Sequence, residues 1–321
     1  MKLLRAKELG LLIALGLLLA LIVASGPEAR AGFSGVSNIQ NLSRQIALLT
    51  IFAIGETLVI VTAGIDLSIG SMIAFCGVLV ASLMVDYGVP MGWAILIVLV
   101  VSGLVGVIHG GLITKARIAP FVVTLGSMLI LRGFAQVLSP NATIALRQDQ
   151  FATFTYLANG QPGGIPMPVL LMVAIAIPAF VFLRYTLWGR HLLALGGNEE
   201  AARLSGVNVH RVKTLAYVLC SLLAGLSGIL AASYLRVGDP RGGVMYELRA
   251  IAAAVIGGAS LMGGEGSVLG TILGACIFGV LYNGINIVIK KNASVWESVI
   301  VGAVVLNAAL LDVLRQRRQR V

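Results

Sequence analysis

Few side chains in this sequence can do chemistry, and fewer stand at a spacing that chemistry needs. Glu56 interrupts an apolar run as Gly55-Glu56-Thr57, and Asp66 follows in Gly64-Ile65-Asp66-Leu67-Ser68-Ile69-Gly70-Ser71. A charge in a bilayer interior costs a few kcal/mol or more and faces protein or a water path. Gly64 frees the backbone beside Asp66, and Asp66 or Ser68 is placed to cap a following helix. His109, Arg132, Asn283, Asn286, Glu297 and Asn307 also fall in or near apolar runs. Asn283 and Asn286 are three apart and share a helix face. There is no Gly-rich Lys-Ser/Thr nucleotide loop, no His-Glu-x-x-His, no Gly-x-Ser-x-Gly and no His/Cys set with metal spacing. Cys76, Cys220 and Cys276 lie singly inside apolar runs. Only Glu56 is clearly mid-span, which leaves no ion relay, no catalytic set and no cofactor site. The chain reads as a non-enzyme.

The elements that carry these residues are membrane spans. Of 321 residues 58% are hydrophobic and 11% charged, and the mean hydropathy is +0.99. A soluble core of this length cannot hide so much apolar surface. That sets aside a soluble enzyme, a nucleic-acid binder and a disordered chain. About 20 apolar residues cross a bilayer, and ten such stretches are predicted. They lie near 9–25, 45–63, 67–85, 93–113, 119–138, 168–183, 214–235, 249–261, 268–289 and 295–311. The eighth is short and broken by glycine. The first resembles a signal segment, with Ala29-Arg30-Ala31 as a cleavage-like site. Its apolar run is too long for one, so an uncleaved helix is expected.

The net charge of +10 is a matter of topology. With ten spans both termini are predicted to be cytoplasmic. The inner side then holds Lys2, Arg5, Lys7, Lys115, Arg117, Arg184, Arg190, Arg203, Arg211, Lys213 and the arginines after 314. The outer set is smaller. An outer loop at 139–167 and an inner loop at 184–213 are long enough to fold locally. In the inner loop Asn198 is an N-cap, Glu199 and Glu200 suit the first turn, and Gly206 suits the position after the helix. This predicts a two-turn helix over 199–205 with Ala201, Ala202 and Leu204 as a small apolar surface. Such a helix is too short to stand alone. A second glycine-rich break, Gly257-Gly258-Ala259-Ser260-Leu261-Met262-Gly263-Gly264-Glu265-Gly266-Ser267, shares the order Gly, Leu, Gly, Ser with the first. Helices broken at corresponding places in two halves point to a transport path between inverted repeats.

Three stretches carry a resemblance to a known family. They are Thr57-Leu58-Val59-Ile60 with 64–71; Gly189-Arg190, 194–199 and Leu204-Ser205-Gly206-Val207-Asn208; and Tyr246-Glu247-Leu248, Ala250-Ile251-Ala252, Gly257-Gly258, Ser260-Leu261 and Gly263-Gly264. Together they resemble the permease subunits of bacterial ribose/xylose/arabinose-type ABC importers over nearly the whole chain. The resemblance implies a second copy of itself or a similar permease, a cytoplasmic ABC ATPase that binds the ATP, and a periplasmic or extracellular sugar-binding protein. It implies that the inner loop is a coupling helix, with Gly197, Asn198, Glu199, Glu200, Ala201, Leu204 and Gly206 meeting the ATPase. Pathway residues are expected among Glu56, Asp66, Ser68, Ser71, Tyr246, Glu247, Asn283 and Asn286. Two positions depart from the family's usual pattern: Glu56, where an uncharged residue such as Met is common, and Arg249, where an acid is common. They either pair across the path, or Arg249 reaches for the interface while Glu56 bonds internally.

The expected fold is therefore an all-α polytopic membrane protein of about ten transmembrane helices. It is one permease domain over 1–321, with a first-half core at 38–138, the coupling loop at 184–213 and a second-half core at 214–312. The expected function is passage of a monosaccharide or related polyol across the cytoplasmic membrane. The alternatives are a stand-alone carrier or channel for a small polar solute, and a non-transporting scaffold.

Overall fold

The computed structural model describes residues 6–140 and 142–289, together with Trp296, Val299, Gly302, Ala303, Leu306, Asn307 and Leu310. In chain order the helices are α1 (Ala6–Ala24), α2 (Pro27–Ser34), α3 (Val36–Ile60), α4 (Ile69–Val85), α5 (Met91–Thr114), α6 (Pro120–Leu138), α7 (Gln148–Asn159), α8 (Met167–Tyr185), α9 (Leu187–Gly197), α10 (Glu199–Leu204), α11 (Val209–Leu235), α12 (Tyr246–Ile256) and α13 (Val268–Val288). Strands β1 (Ile144–Ala145) and β2 (Val237–Gly238) pair antiparallel, with Ile144 opposite Gly238.

Among the described residues α1, α3, α5, α6, α8, α11 and α13 are long and apolar enough to cross a membrane. Helix α4 is apolar and 17 residues long. These eight coincide with eight of the predicted spans. The predicted span at 249–261 is instead α12, of 11 residues. At about 1.5 Å per residue it is about 16 Å long, half of a hydrocarbon core about 30 Å thick. It stops at Gly257, and Gly258 follows at φ +91°, so the helix itself ends short of a full span. The predicted span at 295–311 lies mostly outside the described residues.

Helix α3 is buried along 78% of its apolar length and α8 along 17%. That difference decides their places: α3 is a core helix, and α8 turns its sides outward. Helix α11 packs between α3, α4 and α5. Its approach to α5 is set by glycine. A Cβ at Gly106 would lie 2.5 Å from the Val218 Cα and 2.7 Å from the Tyr217 carbonyl oxygen. A Cβ at Gly110, one turn on, would lie 2.5 Å from the Thr214 Cα. Membrane helices lack a hydrophobic drive toward one another, so close backbone packing of this kind holds them.

Both long loops fold, at opposite ends of α11. At one end, 139–167 forms β1 and α7. Ser233 Oγ donates to the Phe154 carbonyl at 2.7 Å, and Asn159 Nδ2 donates to the Ser233 carbonyl at 2.8 Å. At the other end stand α9 and α10.

Candidate functional site

The α10 turn is built as its residues dictate. Asn198 Oδ1 accepts the Ala201 N–H at 2.9 Å, and Glu199 and Glu200 occupy the first turn. At the other end Gly206 sits at φ +88°. Its N–H bonds the Arg203 carbonyl at 3.0 Å, and the Val207 N–H bonds the Ala202 carbonyl at 3.0 Å. That double closure is the Schellman arrangement. The helix spans six residues, one fewer than predicted, because Ser205 already leaves helical geometry at ψ 7°. Ala202 is buried, and Leu204 is 77% exposed. Leu187 and Trp188 are exposed beside the start of α9.

Lys213 of α11 bonds Glu199 at 2.5 Å, and Arg203 bonds Glu200 at 2.7 Å. The Arg203 hydrogen bond and charge hold the Glu200 carboxyl below its ordinary pKa. Helix α9 was not anticipated. Its signal was Thr186, whose hydroxyl accepts the Gly189 N–H at 3.1 Å as an N-cap.

The loop reaches the two glycine-rich breaks through backbone alone. The Gly264 N–H donates to the Val61 carbonyl at 3.0 Å. A Cβ at Gly263 would lie 2.8 Å from both the Ala63 nitrogen and the Gly196 Cα. A Cβ at Gly264 would lie 3.0 Å from the Gly197 Cα. A Cβ at Gly196 would strike the Val61 carbonyl and the Gly264 nitrogen. Gly263 and Gly264 take φ +86° and +79°, where other residues are strained. Three main chains therefore meet at one junction: the break after α3, the end of α9 and the break before α13.

One step inward lies a buried polar cluster. Asp66 Oδ1 accepts the Ser68 N–H at 2.9 Å and its hydroxyl at 2.6 Å. This is a turn just ahead of α4, whose first-turn N–H groups receive no side-chain cap from Asp66 or Ser68. The Asp66 N–H donates to Glu56 Oε1 at 3.3 Å. His109 Nδ1 stands 3.8 Å from Asp66 Oδ2, and its Nε2 lies 2.6 Å from Ser127 Oγ. Glu56 Oε2, His109 Nδ1 and the Tyr217 hydroxyl, all buried, have no hydrogen-bond partner among the described residues. His109 and Tyr217 were not foreseen as members, because the turn between α3 and α4 brings distant positions together. The pairing of Glu56 with Arg249 is corrected: Glu56 bonds internally. Arg249 stands over the rings of Tyr246 and Tyr282, at 4.9 and 5.4 Å.

The remaining pathway candidates separate. Ser71 is buried on α4. A Cβ at the neighbouring Gly70 would collide with the Gly243 carbonyl and the Glu247 carboxyl, so Glu247 lies against α4. Arg132 Nη1 donates to the Pro240 and Gly242 carbonyls at 2.9 and 2.6 Å, fixing the approach to α12. Asn283 and Asn38 exchange amide hydrogen bonds at 2.8 and 3.1 Å, which makes Asn283 a clamp between α13 and α3. Asn286 is exposed and bonds back to the Tyr282 carbonyl at 2.8 Å. The shared helix face is real, but the two amides do not act together.

Tyr246 instead stacks on Phe52, with ring centroids 5.6 Å apart and planes 11° apart. The pair borders a cavity of about 210 Å³ lined also by Gln45, Tyr234, Arg249 and Tyr282. Aromatic residues scattered over four helices left no spacing to read. Among the described residues no three His, Cys, Asp or Glu side chains gather to hold a metal ion.

Residues 38–309 match the family described as branched-chain amino acid transport system / permease component. The ribose import permease protein RbsC of Escherichia coli (strain K12) is 39% identical over 306 residues, covering 95% of this chain and 93% of that protein. Its counterpart in Bacillus subtilis (strain 168) is 40% identical over 298 residues, covering 93% and 91%. The xylose transport system permease protein XylH of E. coli (strain K12) is 29% identical over 373 residues, covering 98% and 94%. No solved structure matches.

Proposed function

This chain belongs to the permease-component family of branched-chain amino acid transport systems, and from that premise we propose that its cargo is a monosaccharide or related polyol. It is a multi-pass membrane transport subunit and not an enzyme. Relatives named for ribose and xylose support the sugar reading over the amino acids of the family's description. In this reading the chain works in the cytoplasmic membrane with both termini inside. It has about ten spans in two inverted halves, with 249–261 and 295–311 completing the set. Two copies enclose the path. An external sugar-binding protein delivers the cargo, and a cytoplasmic ABC ATPase supplies the energy.

The observation that carries the ATPase partner is α10. A six-residue helix closed at both ends, yet presenting Leu204 at 77% exposure, is shaped for a groove on another protein. Leu204→Glu is the test, because an exposed site tolerates the change without unfolding. The variant is expected to keep the parent thermal transition and to lose co-purification with the ATPase. Retained association overturns the coupling role. The chain alone in proteoliposomes is expected to take up no D-ribose under a proton or sodium gradient. Uptake there would favour the stand-alone carrier.

A further inference from the structure

We infer that the cavity beside the Phe52–Tyr246 stack is a monosaccharide-binding site within the single chain, entered from the end opposite α10. This rests on the sugar reading above. Flat groups line the cavity: the parallel Phe52 and Tyr246 rings, the Tyr282 ring, and the Arg249 guanidinium 4.9 and 5.4 Å from the Tyr246 and Tyr282 centroids. Leu49, Ile73, Ala231 and Phe278 add apolar lining.

Besides the Arg249 guanidinium and Ser227, which bonds the Leu223 carbonyl, the polar groups at the cavity are three phenols and an amide. The hydroxyls of Tyr234, Tyr246 and Tyr282 and the amide of Gln45 make no hydrogen bond among the described residues. Unbonded polar groups among membrane helices are costly unless they face water or a ligand. Each of these groups both donates and accepts. A sugar ring offers the complement: an apolar C–H face for aromatic rings and a rim of hydroxyls that also donate and accept. An amino-acid zwitterion fits poorly, because the lining includes Arg249 for a carboxylate but no acid for the ammonium.

Position supports entry from that end. Gln45 and Leu235, the latter at the α11 end away from α10, are exposed at its rim. Phe52 is the last α3 residue in the lining. Val61, nine residues further, meets the glycine junction about 13 Å away along the helix. The cavity thus stops short of the backbone junction.

The test uses Gln45→Cys in a Cys276→Ser background, since Cys76 and Cys220 are buried. The full chain is labelled with a maleimide in proteoliposomes. D-Ribose, D-xylose or L-arabinose at millimolar concentration is expected to slow labelling several-fold, and L-leucine is not. Tyr282→Phe, which removes one hydroxyl and keeps the ring, is expected to weaken that protection by roughly tenfold in sugar concentration, equivalent to about 1.4 kcal/mol. Uptake by the assembled importer is measured on the same variants. If a sugar is transported, but labelling ignores it and Tyr282→Phe transports as the parent does, the site is overturned while the sugar reading stands. If the importer carries L-leucine and none of the sugars, the sugar reading fails and the site falls with it.

Discussion

Glu56 is the residue whose chemistry least suits its surroundings. Its carboxyl is wholly buried, one oxygen takes a long bond from the Asp66 N–H, and the other has no hydrogen-bond partner among the described residues. A buried carboxyl with so little hydrogen bonding carries a desolvation cost that an apolar side chain of similar size does not. Glu56→Met is therefore expected to hold or raise the thermal transition in detergent. Asp66→Ala strips two Ser68 donors of their acceptor and is expected to lower stability by about 1–3 kcal/mol. Asn198→Ala is expected to cost about 1 kcal/mol locally, read as faster hydrogen exchange at Ala201. The Glu200–Arg203 pair should tolerate mild acid. Because the folded pKa of Glu200 is depressed, the pair's contribution is complete above the ordinary carboxyl range and is lost only as pH falls through the lower value. Exchange protection of α10, followed through an acid titration, checks this. The caps at Asn198 and Gly206 were legible because capping is local chemistry between neighbours. The partners of Glu56 and Arg249 were not, because contacts across several helices leave no mark in sequence spacing.

At the scale of elements, hydropathy located eight apolar helices, since burial in lipid demands length and composition and little else. It overestimated α12, where an apolar stretch with two glycines reads like a span but folds as a half-length helix. It also missed α7 and α9, whose sequences carry ordinary mixtures of polar and apolar residues. Helix α5 packs on α11 through glycine. Gly110→Leu forces a bulky side chain into the Thr214 backbone, and overpacking of this kind costs about 1–3 kcal/mol or more. The measurement is the thermal transition. Gly111, where a Cβ would meet nothing within 4 Å, is the control: Gly111→Ala is expected not to lower the transition.

At the scale of the whole molecule, the glycine junction joins the end of α9, next to α10, to the two breaks, and α3 runs from that junction to the aromatic cavity. Gly196→Ala is expected to leave ATPase association intact, since α10 is untouched. It should slow transport by more than about tenfold, the equivalent of about 1.4 kcal/mol of added barrier. Co-purification and uptake measured on the same preparation check both halves. Loss of both together would show that the junction holds the fold rather than transmitting motion. The material of that junction has a mechanical consequence. Side chains bend, change rotamer and absorb displacement, whereas three main chains pressed together at Val61, Gly196 and Gly263 have no such slack. A push delivered at the loop is therefore expected to reach both breaks together, with little lost to side-chain rearrangement, as through a gear train with little backlash.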